Sequence, residues 1–438
     1  MDACRSGATW GPCTMKPRTL GWFGVLAATI VSPVDAALPT YGDVELQARS
    51  NLLVNDNGWN LPPGSSFNSI SASINADAQV AFRVQVVPDA GDPGLSRPGV
   101  WLGAHGVGGL VYTGDIDALI DNEACINDAG DVTFTISSTG SGNSLYLYDA
   151  SAGSASAIGT LPVIPNSYGS PCLNAAGDIG FQANFSSGRA YAARIGATTQ
   201  IYAGDANVMP GSPWTYLYTP SFNASGLIVA KVATSPDLFS AVEIRAFHSD
   251  GTSQRLLANQ ATDALSPYSK FDNSLALAGN GAIAVIATRV ADNRRVVLRS
   301  DGATTTEIAA VDPAGTILEL DSFAPAIDDA GRVAFRARDA NGQAIYLGDG
   351  SSLIRVIGNG DAVDTDRGVA QLGQHDSSAV FAGRPAINTH GDIAFVAGVY
   401  PQGNNQIEWG SGVFVAYATP TVDDVIFADG FDPAPPGH

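Results

Sequence analysis

Lysine is almost missing from this chain of 438 residues and occurs only at positions 16, 231 and 270. Against 22 basic residues stand 42 acidic ones, for a formal net charge of −20. A surface so poor in cations repels polyanions. That argues against nucleic acid or an anionic membrane as partner and favours a monomer that resists self-association. Long apolar runs are scarce as well. The longest, Leu20 to Val31, has about 12 residues where a spanning helix needs ~20, so no membrane span is expected once it is removed. Cysteine is rare, and no cluster of His or Cys accompanies Cys125 and Cys172, which excludes a structural zinc site there. No Gly-x-Ser-x-Gly elbow and no His-Glu-x-x-His helix occurs, so two common hydrolase designs are absent. No long amphipathic pattern of helical period is present either.

What the chain has instead is a phrase repeated seven times. Ile74-Asn75-Ala76-Asp77-Ala78-Gln79-Val80-Ala81-Phe82 is the first copy and Ile126 to Phe134 the second. Leu173 to Phe181, Phe222 to Ala230, Leu277 to Val285, Ile327 to Phe335 and Ile387 to Phe395 follow. The glycine position falls at 78 (an alanine), 130, 177, 226, 281, 331 and 391, giving steps of 52, 47, 49, 55, 50 and 60. Asn or Asp can close its own turn through its side chain, and Gly accepts the positive φ of a tight hairpin. Beyond the turn the residues alternate: Val80, Phe82, Val84 and Val86 share one face, which is the period of a strand. In the sixth unit two further apolar runs follow, Ala344 to Leu347 and Leu353 to Ile357, each after a turn; Phe323 to Ile327 precedes the set. Four short strands joined by tight turns, repeated at a period near 50, predict a seven-bladed β-propeller of four-stranded antiparallel blades.

The chain ends predict how the ring closes. The last unit stops after its third run, Gly412 to Ala416, without a fourth strand, while an unpaired run begins at Val44. Residues about 42 to 55 are therefore expected to form the outer strand of the last blade, which removes a loose edge. The propeller spans 42–417. Ahead of it, Lys16 and Arg18, the apolar run and Ala36 have the order of a secretory signal peptide over 1–36, with 1–14 as an upstream extension and cleavage after Ala36. The expected location is secreted, periplasmic or cell-surface. Residues 418–438 read as a flexible tail. Export permits a bridge between Cys125 and Cys172, which sit one residue before the phrase in adjacent units, but equivalent positions in rotated blades point in the same sense. A disulfide and two buried thiols both stay open.

The phrase Ile-Asn-x-x-Gly-x-Val-Ala-Phe, clearest at Ile327 to Phe335 and Ile387 to Phe395, together with Gly99-Val100-Trp101-Leu102 and Gly412-Val413-Phe414-Val415, resembles the repeats of exported bacterial propeller-like proteins. The resemblance covers about 42–417. It implies a secreted propeller and carries over no catalytic residue. The tail's Phe427-Ala428-Asp429-Gly430-Phe431-Asp432 is similar to short endings of some exported bacterial proteins.

Candidate function lies where the repeats differ. In Met209 to Tyr218, Trp214 and Tyr216 could stack on sugar rings, or Tyr216 and Tyr218 could belong to the next inner strand and pack in the core; Trp59 is the other aromatic candidate. His375 and Asp376 are the one His-Asp neighbour pair, in the long connection 361–383. Asp361, Asp364 and Asp366 before Gly368 alternate like calcium ligands, without the bidentate Glu such a loop uses; calcium is the one cofactor considered. The leading expectation is a module that binds an extracellular ligand or envelope component, with carbohydrate foremost. A glycoside hydrolase or lyase with acids at the axial face, and an envelope structural protein, are the alternatives.

Overall fold

A computed structural model describes residues 37–50, 58–67, 70–87, 96–116, 118–138, 142–159, 161–237, 240–374 and 379–419. The proposed signal peptide, the tail beyond Thr419, and both His375 and Asp376 lie outside the described residues. The chain forms seven antiparallel sheets in sequence order, one per phrase, and is a seven-bladed β-propeller. Blade six has the expected meander: Ala326–Ile327, Val333–Asp339, Gly342–Gly348 and Leu353–Gly358. In four blades the inner strand is broken into two pieces that pair with the same second strand, as with Ala118–Ile120 and Cys125–Ile126 in blade two. The break falls where the inner strand bows over the axis.

Thr40–Arg49 pairs antiparallel with Gly410–Thr419, Val44 opposite Ala416, and closes blade seven from outside. The strand ends at Arg49, earlier than the sequence suggested; Asn51 to Asn57 lie outside the described residues. Another difference concerns the stretch after blade six. Ala362–Thr365 and Gly368–Leu372 form a hairpin, and Gly368–Leu372 pairs with Ile393–Pro401, where a simple connection was expected.

Each phrase builds its turn as its chemistry dictates. Gly130 donates its N–H to the Asn127 carbonyl at 3.0 Å, and the Asn127 Oδ1 accepts from the amides of Ala129 and Asp131. Gly130 has φ +82°, and Ala78 adopts φ +56° despite its Cβ, so the turn keeps its form even without glycine. The Asn side chain has a second task that the repeat alone did not reveal. Its Nδ2 donates to a carbonyl of the next blade: Asn75 to Asn127 (3.1 Å), Asn127 to Asn174 (3.0 Å), Asn174 to Ala224 (3.3 Å), Asn223 to Ala278 (3.0 Å), Asn388 to Asn75 (3.0 Å). The two blades that lack this Asn make the crossing by other means. Asn280 reaches the Asp329 carbonyl at 2.9 Å. Asp328 recruits Arg332, which pairs with it at 2.6 Å and donates to the Thr389 carbonyl at 3.2 Å. The result is a closed circuit of seven inter-blade bonds around the axis.

Packing follows the alternation. The phrase aromatics Phe82, Phe134, Phe181, Phe335 and Phe395 are buried between sheets, and four stack on a partner from the third strand: Trp101, Tyr146, Tyr346 and Phe414. Burying such a side chain stabilises by about 2–3 kcal/mol. Each sheet is buried on both faces, so Ala81 and Val100 of blade one meet Ile126, Val132 and Phe134 of blade two. Cys125 and Cys172 are joined by a disulfide, Cα to Cα 5.1 Å, between the inner strands of blades two and three. They meet because inner strands converge on the axis and because a bulge between Gly169 and Cys172 breaks the local equivalence of the two blades.

Candidate functional site

In an antiparallel meander, blade connections and second-to-third-strand hairpins emerge at one end, the loop face, and the phrase turns at the other. Three cavities open on the loop face. The axial one, about 540 Å³, is walled by the inner strands of all seven blades. A cleft of about 590 Å³ between blades three and four shares Thr219 with it. A cleft of about 370 Å³ between blades four and five shares Ser274 and Ser322 with it. Both clefts therefore adjoin the axial cavity at these residues.

The position three residues before each phrase sets the character of the axial wall. It holds Ser71, Ser170, Thr219, Ser274 and Ala324 in five blades, and Glu123 and Arg384 in the other two; all seven line the cavity. Glu123 and Arg384 flank Ser71. The Ser71 Oγ accepts from the Arg384 amide at 3.0 Å, and the Ser71 amide donates to the Glu123 carboxylate. Burial raises the Glu123 pKa, opposed by Arg83, the Ser71 amide and Arg384. Arg83 Nε lies 3.8 Å from Glu123 Oε2 while its Nη1 donates to the Ile120 carbonyl at 2.8 Å. Arg384 sits in an irregular stretch of Phe381–Ile387, where register is lost between Ala382 and Ala386. The guanidinium is walled by protein yet solvent-exposed, and its pKa is lowered by desolvation. It makes no ion pair with any described residue.

The cleft between blades three and four holds Tyr216, one of the aromatics singled out by sequence. Arg189 lies over its ring at 3.9 Å, and Tyr218 meets it edge-on at 4.7 Å. Asn184, Ser167 and Asn207 supply amide and hydroxyl groups around it, and the buried Asn184 Oδ1 has no hydrogen-bond donor. The cleft between blades four and five holds Lys231 and Lys270, the two lysines of the described chain. Lys231 donates to the Phe271 carbonyl and to Asn273 Oδ1, both at 2.9 Å, and lies 4.3 Å from the Tyr218 ring centre. Burial pulls its pKa down to about 8, with Asp272 opposing.

The other sequence candidates are placed elsewhere. Trp214 packs edge-on against Phe247, under Arg245, in the core between blades three and four. Trp59 is held by backbone bonds to Arg49 at the end of the closing strand and packs against Gly106. The three aspartates are not gathered into one site. Asp361 pairs with Arg355 at 2.6 Å, Asp366 forms two 2.8 Å bonds with the buried Arg49, and Asp364 is exposed on the hairpin. Among the described residues no three His, Cys, Asp or Glu converge as a metal site. Glu123 and Arg384 were passed over in the sequence, although a signal existed: charge at a register position that is otherwise small.

No family model and no curated protein matches the chain. Solved structures match at the level of fold. The β-propeller domain of the Trilobed protease from Pyrococcus furiosus, described as having an open velcro topology, aligns at TM-score 0.52 and 12% identity over 83% of this chain and 99% of that one. TolB from Acinetobacter baumannii aligns at TM-score 0.40 and 14% identity over 64% and 63%. A puromycin-hydrolyzing peptidase from Mycobacterium tuberculosis aligns at 0.47 and 12% over 84% and 56%. The chain thus spans less than two thirds of TolB and of the peptidase. At these identities the likeness concerns the propeller alone. In the present ring the N-terminal strand pairs with the C-terminal one.

Proposed function

We propose that this propeller is a non-catalytic binding module that holds an extended polar ligand, a carbohydrate chain, across its loop face, outside the cytoplasm. The observation that carries the proposal is that the two inter-blade clefts adjoin the axial cavity, sharing Thr219, Ser274 and Ser322 with it. A linear oligomer can occupy all three at once. Hydroxyl, amide and aromatic groups line the path, as sugar recognition requires. The Cys125–Cys172 bridge supports an oxidising compartment. Calorimetric titration with oligosaccharides of two to eight residues tests it: affinity should rise with length until the three cavities are filled. Absence of binding to any glycan by the intact fold refutes it.

A hydrolase or lyase is the second reading, because Asp121 and Glu123 both line the axial cavity and burial keeps Glu123 more readily protonated than a free carboxyl. Release of reducing ends or unsaturated products by the wild type, abolished in Glu123→Gln, would establish it.

A further inference from the structure

Building on the binding role proposed above, we infer that the ligand is an acidic glycan, one of whose carboxylates is received by Arg384 in the axial cavity. The chain is strongly acidic, yet its loop-face depression collects cations. Arg384 faces the axial cavity, Arg189 the cleft between blades three and four, and Lys231 and Lys270 the cleft between blades four and five. None of the four makes an ion pair with a described residue. Arg189 donates to the Leu217 carbonyl and lies over Tyr216, Lys231 has two neutral acceptors, and the side chains of Lys270 and Arg384 have no hydrogen-bond partner among the described residues.

The acids of the same depression are already occupied, with one exception. Glu123 is backed by Arg83 and the Ser71 amide, with Arg384 acting on it more weakly from beyond ion-pair distance. Asp272 is paired with Arg295 at 2.6 Å. Asp205 accepts from the backbone amides of Arg189, Asn207 and Val208. Asp121 alone faces the cavity exposed and without such a partner. Cations left with neutral partners beside acids that are compensated make a field that favours negative charge on the ligand. A guanidinium matches a carboxylate in two parallel bonds, and Arg384 lines the axial cavity. The opposite mouth of the channel differs in sign: its charged lining is Asp128, Asp328 and Asp329. An anionic chain would therefore enter from the loop face alone.

The test is a titration of the full chain with four probes of matched length: oligogalacturonate, a neutral cello-oligosaccharide, a sulfated oligosaccharide and oligo-dT. Oligogalacturonate should bind at least tenfold tighter than the neutral probe, with affinity falling as salt rises. Arg384→Gln should remove that advantage, and Arg384→Lys should restore part of it; circular dichroism confirms that each variant is folded. Equal affinity for neutral and carboxylated chains would overturn the inference but leave the binding module standing. Tighter binding of the sulfated probe or of oligo-dT would overturn the carboxylate assignment. Binding to none of the probes would overturn both.

Discussion

Asn127→Asp is the sharpest probe of the inter-blade circuit. The change keeps the turn, since a carboxylate oxygen can still accept from Ala129 and Asp131. It deletes the donor to the Asn174 carbonyl, a buried acceptor that then costs about 1–3 kcal/mol. It also sets a carboxylate against Asp131 Oδ2, which now accepts from the Asn127 amide at 3.3 Å; the lost bond and the new repulsion add about 2 kcal/mol. The total is about 3–5 kcal/mol. Blade six shows how the fold tolerates Asp at this position: Arg332, four residues on, neutralises Asp328 and makes the crossing itself. Asp131→Arg should therefore be harmful alone, because it loses the bond from the Ala150 amide, and helpful in the Asn127→Asp background. A double-mutant cycle by denaturant unfolding should give a favourable coupling of about 1–3 kcal/mol. If Asp131→Arg destabilises both backgrounds equally, the circuit does not carry the energy assigned to it.

Four further outcomes follow from the same structure. Cys125→Ser with Cys172→Ser should lower stability by about 4 kcal/mol, since the bridge closes a long loop, and reductant should have the same effect on the wild type only. Asp366→Asn breaks the pair with Arg49, which is 1% exposed, and should cost about 3–5 kcal/mol in unfolding experiments. A chelator added to the wild type should leave its melting curve unchanged if Asp361 and Asp366 serve arginines rather than calcium. Lys231 has a folded pKa near 8 against an ordinary value of 10.5. Between those values the unfolded chain holds a proton that the folded one has released, so this group makes stability rise with pH across that window. Relative to Lys231→Met, the wild type should gain on the order of 2 kcal/mol from pH 7 to pH 10; a flat difference would mean that Lys231 is not desolvated.

Much of the architecture was legible because its causes are local. The turn of Asn127 to Gly130 depends on a side chain bonding its own backbone, and the strand after Val132 on alternation over a few residues. Even the closing strand could be inferred, from a unit that stops at Ala416 and a run that begins at Val44. The hairpin at Ala362–Leu372 was missed because acidic, glycine-containing sequence reads as a loop until a partner edge at Val399–Pro401 is available to pair with it. Asp361 and Asp366, spaced like ligands, were claimed by Arg355 and Arg49, the latter more than 300 residues away in sequence. Trp214 looked like a loop aromatic until Phe247 and Arg245 packed against it.

The sequence by itself determined that there are seven units, how each turns and alternates, and where the ring is joined. Tertiary structure decided what those units do to one another. Within its own turn the amide of Asn127 or Asn174 meets a side chain, Asp131 or Asp178, and only a neighbouring blade brings a carbonyl within 3.0–3.3 Å of it. Cys125 and Cys172 meet because strands crowd at an axis that no local pattern encodes. Glu123 and Arg384, hundreds of residues apart, come to face one cavity because a closed ring places its last blade beside its first. Turn and strand chemistry acts over a few residues, while charge and cavity depend on the path of the whole chain.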